Sequence, residues 1–258
     1  MTQKDKELKE LLDIEVNARN NIFEVSYEKP DPLIVAKRQK CHYSILLCAL
    51  FAYGNAKLIV KFLDSLDFSL LDKSDEIIEK ELKNHYYRFQ NSSDVIAVFK
   101  TFKRLKDKTN LEELFYKAYK NENSVLEGID FVIKNIKEES NYSSAGFDFL
   151  VGNSFKRDKN GNIKESNSPY KRWNMYLRWM VRDDNIDLGL WKNIDKKDLI
   201  LPLDTHTFKV SQKLGLLKNK TYNLKSALEI TKKLKEFEAN DPVKYDFAIY
   251  RLGQEKIF

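Results

Sequence analysis

The chain is poor in the residues that interrupt helices. Its 258 residues include only 8 glycines and 5 prolines. Leucine, lysine and glutamate are frequent instead, and these residues favour helical segments. The composition therefore predicts an all-α protein.

Cysteine and histidine are also scarce, with 2 and 3 copies. Cys41 and Cys48 lie seven residues apart in one predicted helix, about 10 Å along its axis, which is too far for an unstrained disulfide. We interpret both as buried free thiols in a reducing cytoplasm. Two cysteines cannot hold a four-cysteine iron–sulfur cluster, and the scattered histidines lack metal-ligand spacing. We therefore expect no cofactor and no metal.

Long apolar runs are missing as well. The longest, residues 45–53, is too short to span a membrane, and the N-terminus lacks the apolar core of a signal peptide. We therefore expect a cytoplasmic protein. Lysine and arginine total 45 against 39 acidic residues, a net charge of +6. This modest excess is compatible with a nucleic-acid partner and equally with an ordinary lysine-rich protein.

The chain is organised around residues 168–182, which read as a helix with two stripes. Apolar residues at helical spacing form the first stripe: Trp173, Tyr176, Leu177 and Met180. Polar residues form the second: Lys171, Asn174, Arg178 and Arg182. Ser168 as a candidate cap and Pro169 just inside the helix predict its start.

A second helix start follows at residues 201–208. Pro202 closes the loop, Asp204 or Thr205 can cap the helix, and Gly215 ends it. Burial and the helix dipole disfavour the charged form of a lysine such as Lys171 at a helix start, which makes it a better nucleophile. Backbone amides keep an aspartate such as Asp204 ionised. The pair suits attack at a sugar carbon that develops positive charge. The simpler alternatives are a plain cap for Asp204 and a solvated first-turn lysine for Lys171.

Residues 138–169 are rich in serine, asparagine and glycine, and 158–162 carry a strong turn signal. We predict an extended hairpin that leads into the Lys171 helix. Basic residues here and on that helix can meet phosphates, although a charge run is also compatible with a solvated face. The candidates for phosphate contacts are Lys156, Lys164, Arg172, Arg178 and Arg182.

The aromatic residues have mainly structural interpretations. We expect the tryptophans to be core residues, with one of them as an alternative stacking partner for an extruded base. These are Trp173, Trp179 and Trp191. Tyr86, Tyr87 and Phe89 are also expected in the core, with pocket lining as the alternative. His206 is interpreted as a locally bonded helix-start side chain.

These residues resemble the sequence motifs of two known protein families. Leu203-Asp204-Thr205-His206, followed by Phe208-Lys209-Val210, resembles the aspartate segment of the helix-hairpin-helix DNA glycosylases, the superfamily of endonuclease III. More narrowly, the chain resembles a bacterial family of uncharacterised function, the DUF2400 family. The blocks that carry this second resemblance are Asp31-Pro32-Leu33, 49–54, Tyr87-Arg88-Phe89-Gln90-Asn91, 171–182 and 245–253.

The superfamily resemblance implies two helical subdomains with a cleft between them. We expect a central subdomain at 40–182 and a second one formed by 1–39 with 183–258. Asp204 would face the cleft, and Lys171 would be the sugar-attacking lysine of bifunctional members. The interval between them is longer than usual but similar to that of the archaeal 8-oxoguanine DNA glycosylases. The compact Leu-Pro-Gly-Val-Gly hairpin of endonuclease III is absent, and a longer polar loop at 150–168 replaces it.

The resemblance implies a monomeric base-excision repair enzyme of the bacterial nucleoid. It would bind double-stranded DNA, extrude a damaged base and break its N-glycosidic bond, with an oxidised purine such as 8-oxoguanine favoured. The reaction has two forms: Asp204 with water as a glycosylase alone, or Lys171 as the nucleophile with β-lyase activity. The alternative function is a non-catalytic DNA-binding protein that keeps the glycosylase scaffold.

Overall fold

The computed structural model describes residues 1–254. Thirteen α-helices occur in this part of the chain, and its only β-type pairing consists of isolated bridges. The all-α prediction is confirmed. No helix within these residues is long and apolar enough to cross a membrane.

The chain forms two compact units. A terminal unit combines Met1–Glu24 with the chain from Phe155 onward, and a central unit comprises Val25–Ser154. The boundaries drawn from the sequence differ from this division, because residues 25–39 belong to the central unit and residues 155–182 to the terminal one. Lys171 and Asp204 therefore belong to the same unit.

The central unit has eight helices. They are α2 (Leu33–Ala36), α3 (His42–Leu50), α4 (Ala56–Asp64), α5 (Asp75–Leu82), α6 (Ser92–Lys108), α7 (Leu111–Glu122), α8 (Val125–Glu139) and α9 (Ala145–Val151). Helix α3 is apolar nearly all round, and every residue from Tyr43 to Leu50 is buried, as expected of a central helix. Cys41 and Cys48 are free thiols, but only Cys48 is fully buried.

The part of the terminal unit that the structure describes has five helices. They are α1 (Gln3–Arg19), α10 (Lys171–Val181), α11 (Thr205–Lys213), α12 (Leu224–Phe237) and α13 (Asp246–Gln254). Helix α10 is the buried centre of this unit, because nine of its residues, from Trp173 to Val181, are shielded from solvent. The three tryptophans are core residues, as predicted.

The start of α10 differs from the sequence prediction. Ser168 and Pro169 precede the helix, and Tyr170 occupies the cap position in the left-handed region, with φ 48° and no side-chain cap. Buried Asn174 does not replace the cap, but it binds the segment that precedes the helix. Its Nδ2 donates to the carbonyls of Pro169 at 3.0 Å and Tyr170 at 3.4 Å. The polar stripe of α10 thus faces inward and holds the segment that precedes the helix.

Candidate functional site

Asp204 begins α11 as its N-cap. Its Oδ1 accepts hydrogen bonds from the amides of His206 at 2.9 Å and Thr207 at 2.7 Å, so the predicted cap is confirmed. The side chain is half-buried, and Oδ2 has no hydrogen-bond partner within residues 1–254. Burial, and then the nearby Asp204 carboxylate, raises the pKa of Tyr222 to about 12. One oxygen of Asp204 thus holds the helix while the other is available for a ligand.

Lys171 is the first residue of α10 and is half-buried. Its Nζ lies 3.0 Å from the Sδ of Met175, one turn along the helix. Within the described chain no carboxylate approaches this amine to ion-pair distance. A thioether is a weak acceptor, so the amine has no structural partner that would hold it away from a substrate.

Asp246, the first residue of α13, connects these two groups. It is buried and accepts from Nη1 of Arg178 at 2.5 Å. Burial raises the pKa of Asp246. The positive charges of Arg178 and then Lys171 act to lower this pKa, and the negative charge of Asp204 acts to raise it further. Because Asp246 binds Arg178 of α10 and its own helix packs against α11, α13 contacts both helices whose first turns carry Lys171 and Asp204.

Arg178 and Arg182, further along α10, form ion pairs with several carboxylates. Arg178 Nε also donates to Asp187 at 3.1 Å, and Arg182 Nη1 donates to the same carboxylate at 2.6 Å. Arg182 Nε binds Asp241 at 3.0 Å. Together with Asp246, these residues form the buried ion-pair network of the terminal unit.

This placement corrects the assignment of both arginines as phosphate contacts. Arg178 is 6% exposed and Arg182 is 8% exposed. Their guanidinium groups are directed at carboxylates rather than at solvent. The helical spacing correctly placed them on one stripe, but it could not show that this stripe faces the core.

The other three candidate phosphate contacts have different surroundings. Lys156 and Lys164 are exposed, and Arg172 is half-buried. The hairpin pairs Lys156 with Lys164 directly, because the Lys164 amide donates to the Lys156 carbonyl at 2.9 Å. A bridge between Arg157 and Ile163 confirms the predicted hairpin. Two cationic side chains therefore extend from neighbouring positions of a polar loop.

Asn167 closes this hairpin. Its Nδ2 donates to the carbonyls of Lys156 at 2.9 Å and Lys164 at 2.7 Å, and its Oδ1 accepts from the Lys156 amide at 2.9 Å. The ring of Phe155 stacks on Tyr170, with 4.1 Å between centroids. The hairpin is thereby joined to the residue immediately before Lys171.

The aromatic residues at 86–89 correct another expectation. Tyr87 is buried, but Tyr86 is 73% exposed and Phe89 is 61% exposed. Phe89 is a central residue of a tight turn whose ends, Tyr87 and Gln90, pair through both backbone hydrogen bonds at 2.9 Å, and Tyr86 directly precedes this turn. A two-residue turn of this kind directs its central side chains outward, which the run of aromatic letters did not reveal.

Sequence reasoning missed Asp246, Met175 and Tyr222 as neighbours of the two helix starts. For Asp246 a signal exists, because it is a carboxylate among the apolar residues Tyr245, Phe247, Ala248 and Ile249. Charged residues are rarely fully buried unless they are paired. A carboxylate in such a stretch therefore indicates either a buried ion pair or a functional group.

Comparison with known proteins gives one match. The DUF2400 family, described as proteins of unknown function, matches residues 31–255. The chain belongs to this family. No match was found among curated proteins, and none among solved structures. The matched residues cover most of the chain, including both helix starts. Because the function of the family is unknown, the match assigns no reaction to the chain.

Proposed function

We propose that this DUF2400 protein is a DNA base-excision glycosylase with Asp204 and Lys171 as its catalytic residues. The observation that carries the proposal is the packing around α13, because α13 lies against α11 and its Asp246 binds Arg178 of α10. The proposed reaction uses the Lys171 amine, which has no ion-pair partner within the described chain, and the unbonded oxygen of Asp204 on one sugar. The resemblance of the Asp204 segment to helix-hairpin-helix glycosylases supports the same reaction.

In the proposed reaction Asp204 stabilises the positive charge that develops on the sugar as the N-glycosidic bond breaks. The base leaves with the bonding electron pair and takes up a proton. Neutral Lys171 attacks C1′, loses a proton, and forms a Schiff base after the sugar ring opens. β-Elimination of the 3′ phosphate then cleaves the strand. An oxidised purine such as 8-oxoguanine is the proposed base, on the analogy with the archaeal enzymes.

The proposed DNA contacts are Lys156 and Lys164 on the hairpin and Arg172 on α10. The exposed hairpin lysines can neutralise phosphates and release counterions, so duplex binding should weaken as salt rises. Arg178 and Arg182 are left out because the buried carboxylates hold them. A variant that carries both Lys156→Gln and Lys164→Gln lacks both hairpin charges. Its slope of the logarithm of the binding constant against the logarithm of the salt concentration should be smaller in magnitude by about 2.

Borohydride trapping tests the chemistry directly. Duplexes that carry 8-oxoguanine, an abasic site, uracil or an alkylated purine are incubated with the protein, and hydride reduction of the Schiff base gives a permanent protein–DNA adduct. Wild type should trap on at least one duplex, and Lys171→Gln should abolish the adduct while leaving DNA binding in place. Asp204→Asn should slow base release, because it removes the charge.

The controls separate the two forms of the reaction. Base release without trapping supports a monofunctional glycosylase that uses Asp204 and water. DNA binding with neither base release nor trapping across the panel supports the non-catalytic alternative. If Asp204→Asn releases base as fast as wild type, the catalytic assignment of Asp204 is wrong.

A further inference from the structure

An exposed cluster of aromatic rings lies in the central unit, which contains neither Lys171 nor Asp204. It consists of Tyr53, Phe89 and Phe149 together with Arg88. The three rings are mutual neighbours, with centroids 5.0 Å apart for Tyr53 and Phe149, 5.1 Å for Phe89 and Phe149, and 6.1 Å for Tyr53 and Phe89. Phe89 is 61% exposed and Phe149 is 43% exposed. Folding therefore leaves a contiguous aromatic surface uncovered, which commonly marks a binding site.

Arg88 gives this surface its charge. Its guanidinium carbon lies 5.5 Å from the centroid of the Phe89 ring and 5.6 Å from that of Tyr53, within the range of cation–π attraction. A Cβ on Gly54 would come within 2.1 Å of Nη1 of Arg88. The glycine thus makes room for the guanidinium beside the rings.

The backbone of Arg88 adopts an unfavourable conformation in this cluster. Arg88 has a φ of 54°, a left-handed conformation that few residues other than glycine adopt. The turn is anchored at its last residue, because Gln90 is buried and its Nε2 donates to the carbonyl of Gly146 at 2.8 Å. Tyr87 adds a bond from its hydroxyl to the Tyr53 carbonyl at 2.8 Å. The structure therefore presents Arg88 and Phe89 on a rigid turn.

We propose that the Tyr53, Phe89, Phe149 and Arg88 cluster is a stacking platform for an unpaired nucleobase of a single-stranded nucleic acid. A base offers a flat π surface to Phe89, and the phosphate attached to its nucleoside matches the positive charge of Arg88. The net charge of +6 is compatible with the same ligand class. The proposal does not rest on the glycosylase reaction, because Lys171 and Asp204 take no part in it.

The test compares two single-stranded probes on the full chain. One is a fluorescent oligothymidylate, and the other is an abasic spacer chain with the same number of phosphates. Wild type should bind the oligothymidylate roughly 10-fold more tightly than the spacer chain, because only the first can stack. Equal affinities would overturn the proposal, since binding would then come from phosphates alone.

Variants locate the effect. Phe89→Ala should weaken oligothymidylate binding by about 10-fold and leave spacer binding unchanged. Tyr86→Ala is the matched control, because Tyr86 is an even more exposed aromatic residue that directly precedes the turn, and among the described residues it makes no ring contact with the cluster. Equal losses for Phe89→Ala and Tyr86→Ala would overturn the proposal.

Arg88→Gly removes the guanidinium and puts at this position the residue that adopts the left-handed conformation most readily, and urea denaturation checks that the variant is folded. It should weaken the binding of both probes and lower the salt dependence. Unchanged binding would remove Arg88 from the platform. Lys225→Gln removes an exposed lysine of α12 that belongs neither to the platform nor to the proposed catalytic and DNA-contact residues, and it should bind both probes like wild type. A loss equal to that of Arg88→Gly would overturn the specific role of Arg88.

Discussion

Helices α10 and α11 begin in opposite ways. Helix α11 has a regular side-chain cap, in which Asp204 accepts two backbone amide hydrogens. Helix α10 has no such cap; it follows a left-handed Tyr170, and the preceding carbonyls are bonded by Asn174 from within the helix. Asp204 is therefore accounted for by folding whether or not it takes part in chemistry. Lys171 is not, because within residues 1–254 its amine has a hydrogen bond only to the thioether of Met175.

This contrast determines whether a stability or an activity measurement is informative for Asp204 and for Lys171. A stability change at Asp204 is expected from its capping role alone, so only an activity measurement can reveal a second role. At Lys171 stability and activity should separate completely. Behind both helix starts lies the pair of Arg178 and Asp246, which fixes α10 against α13 and keeps a buried negative charge near Lys171.

The largest expected effect is loss of this buried pair. Asp246→Ala leaves Arg178 with one fewer carboxylate in a buried site, and breaking a buried pair from one side costs about 3–5 kcal/mol of unfolding free energy. Urea denaturation measures the loss. Asp183→Ala is the matched control, because Asp183 pairs with Lys192 at 3.0 Å at a site where both side chains are 68% exposed, and such pairs contribute about 0–1 kcal/mol. Similar losses for the two variants would mean that the buried network does not support the two helix starts.

Asp204 should give the next largest effect. Asp204→Ala removes the cap and should lower the unfolding free energy by about 1 kcal/mol, whereas Asp204→Asn keeps a capping oxygen and should lose much less. The two variants should nevertheless both slow base release, because both lack the carboxylate charge. A denaturation series read beside a base-release assay makes the comparison. If Asp204→Asn retains full activity, Asp204 is only a helix cap.

The sequence was sufficient for the parts of this site that depend on local pattern. The all-α fold, the Asp204 cap, the hairpin turn and the burial of the tryptophans follow from composition, spacing and turn residues. Two of the partners of Arg178 and Arg182 could not be predicted, because Asp246 lies 68 residues after Arg178 and Asp241 lies 59 residues after Arg182. The exposure of Phe89 depends on how a two-residue turn is oriented, and hydrophobicity gives no sign of that. Tertiary packing determined both outcomes.

A smaller effect concerns acid stability. Burial alone would raise the pKa of Asp184, but Arg182 and the amides of Asp187 and Ile186 overcome it, so the pKa is lowered in the folded protein. A carboxylate with a lowered folded pKa contributes stability above its unfolded value of about 3.9, and that stability is lost as the pH falls. Asp184→Asn should therefore be less stable near neutrality and should lose less on acidification. Asp187 and Asp246 have raised pKa values and act in the opposite direction, so the measurement compares the variant with wild type at each pH. An unchanged difference between the two proteins from neutral pH down to acid unfolding would contradict the prediction.

The smallest stability effect is expected at Lys171, and it is the most informative. Lys171→Gln removes an amine that has no ion-pair partner within the described chain, so its unfolding free energy should stay within about 0.5 kcal/mol of wild type. Lys225→Gln is the matched control, because Lys225 is also a first-turn lysine, 58% exposed, on α12. Both variants should be as stable as wild type, yet only Lys171→Gln should lose the borohydride adduct. If Lys171→Gln instead destabilises the protein by as much as Asp204→Ala, Lys171 has a structural role that its contacts do not reveal. If both lysine variants still form the adduct, the nucleophile is another amine, and the difference between the two helix starts has no catalytic meaning.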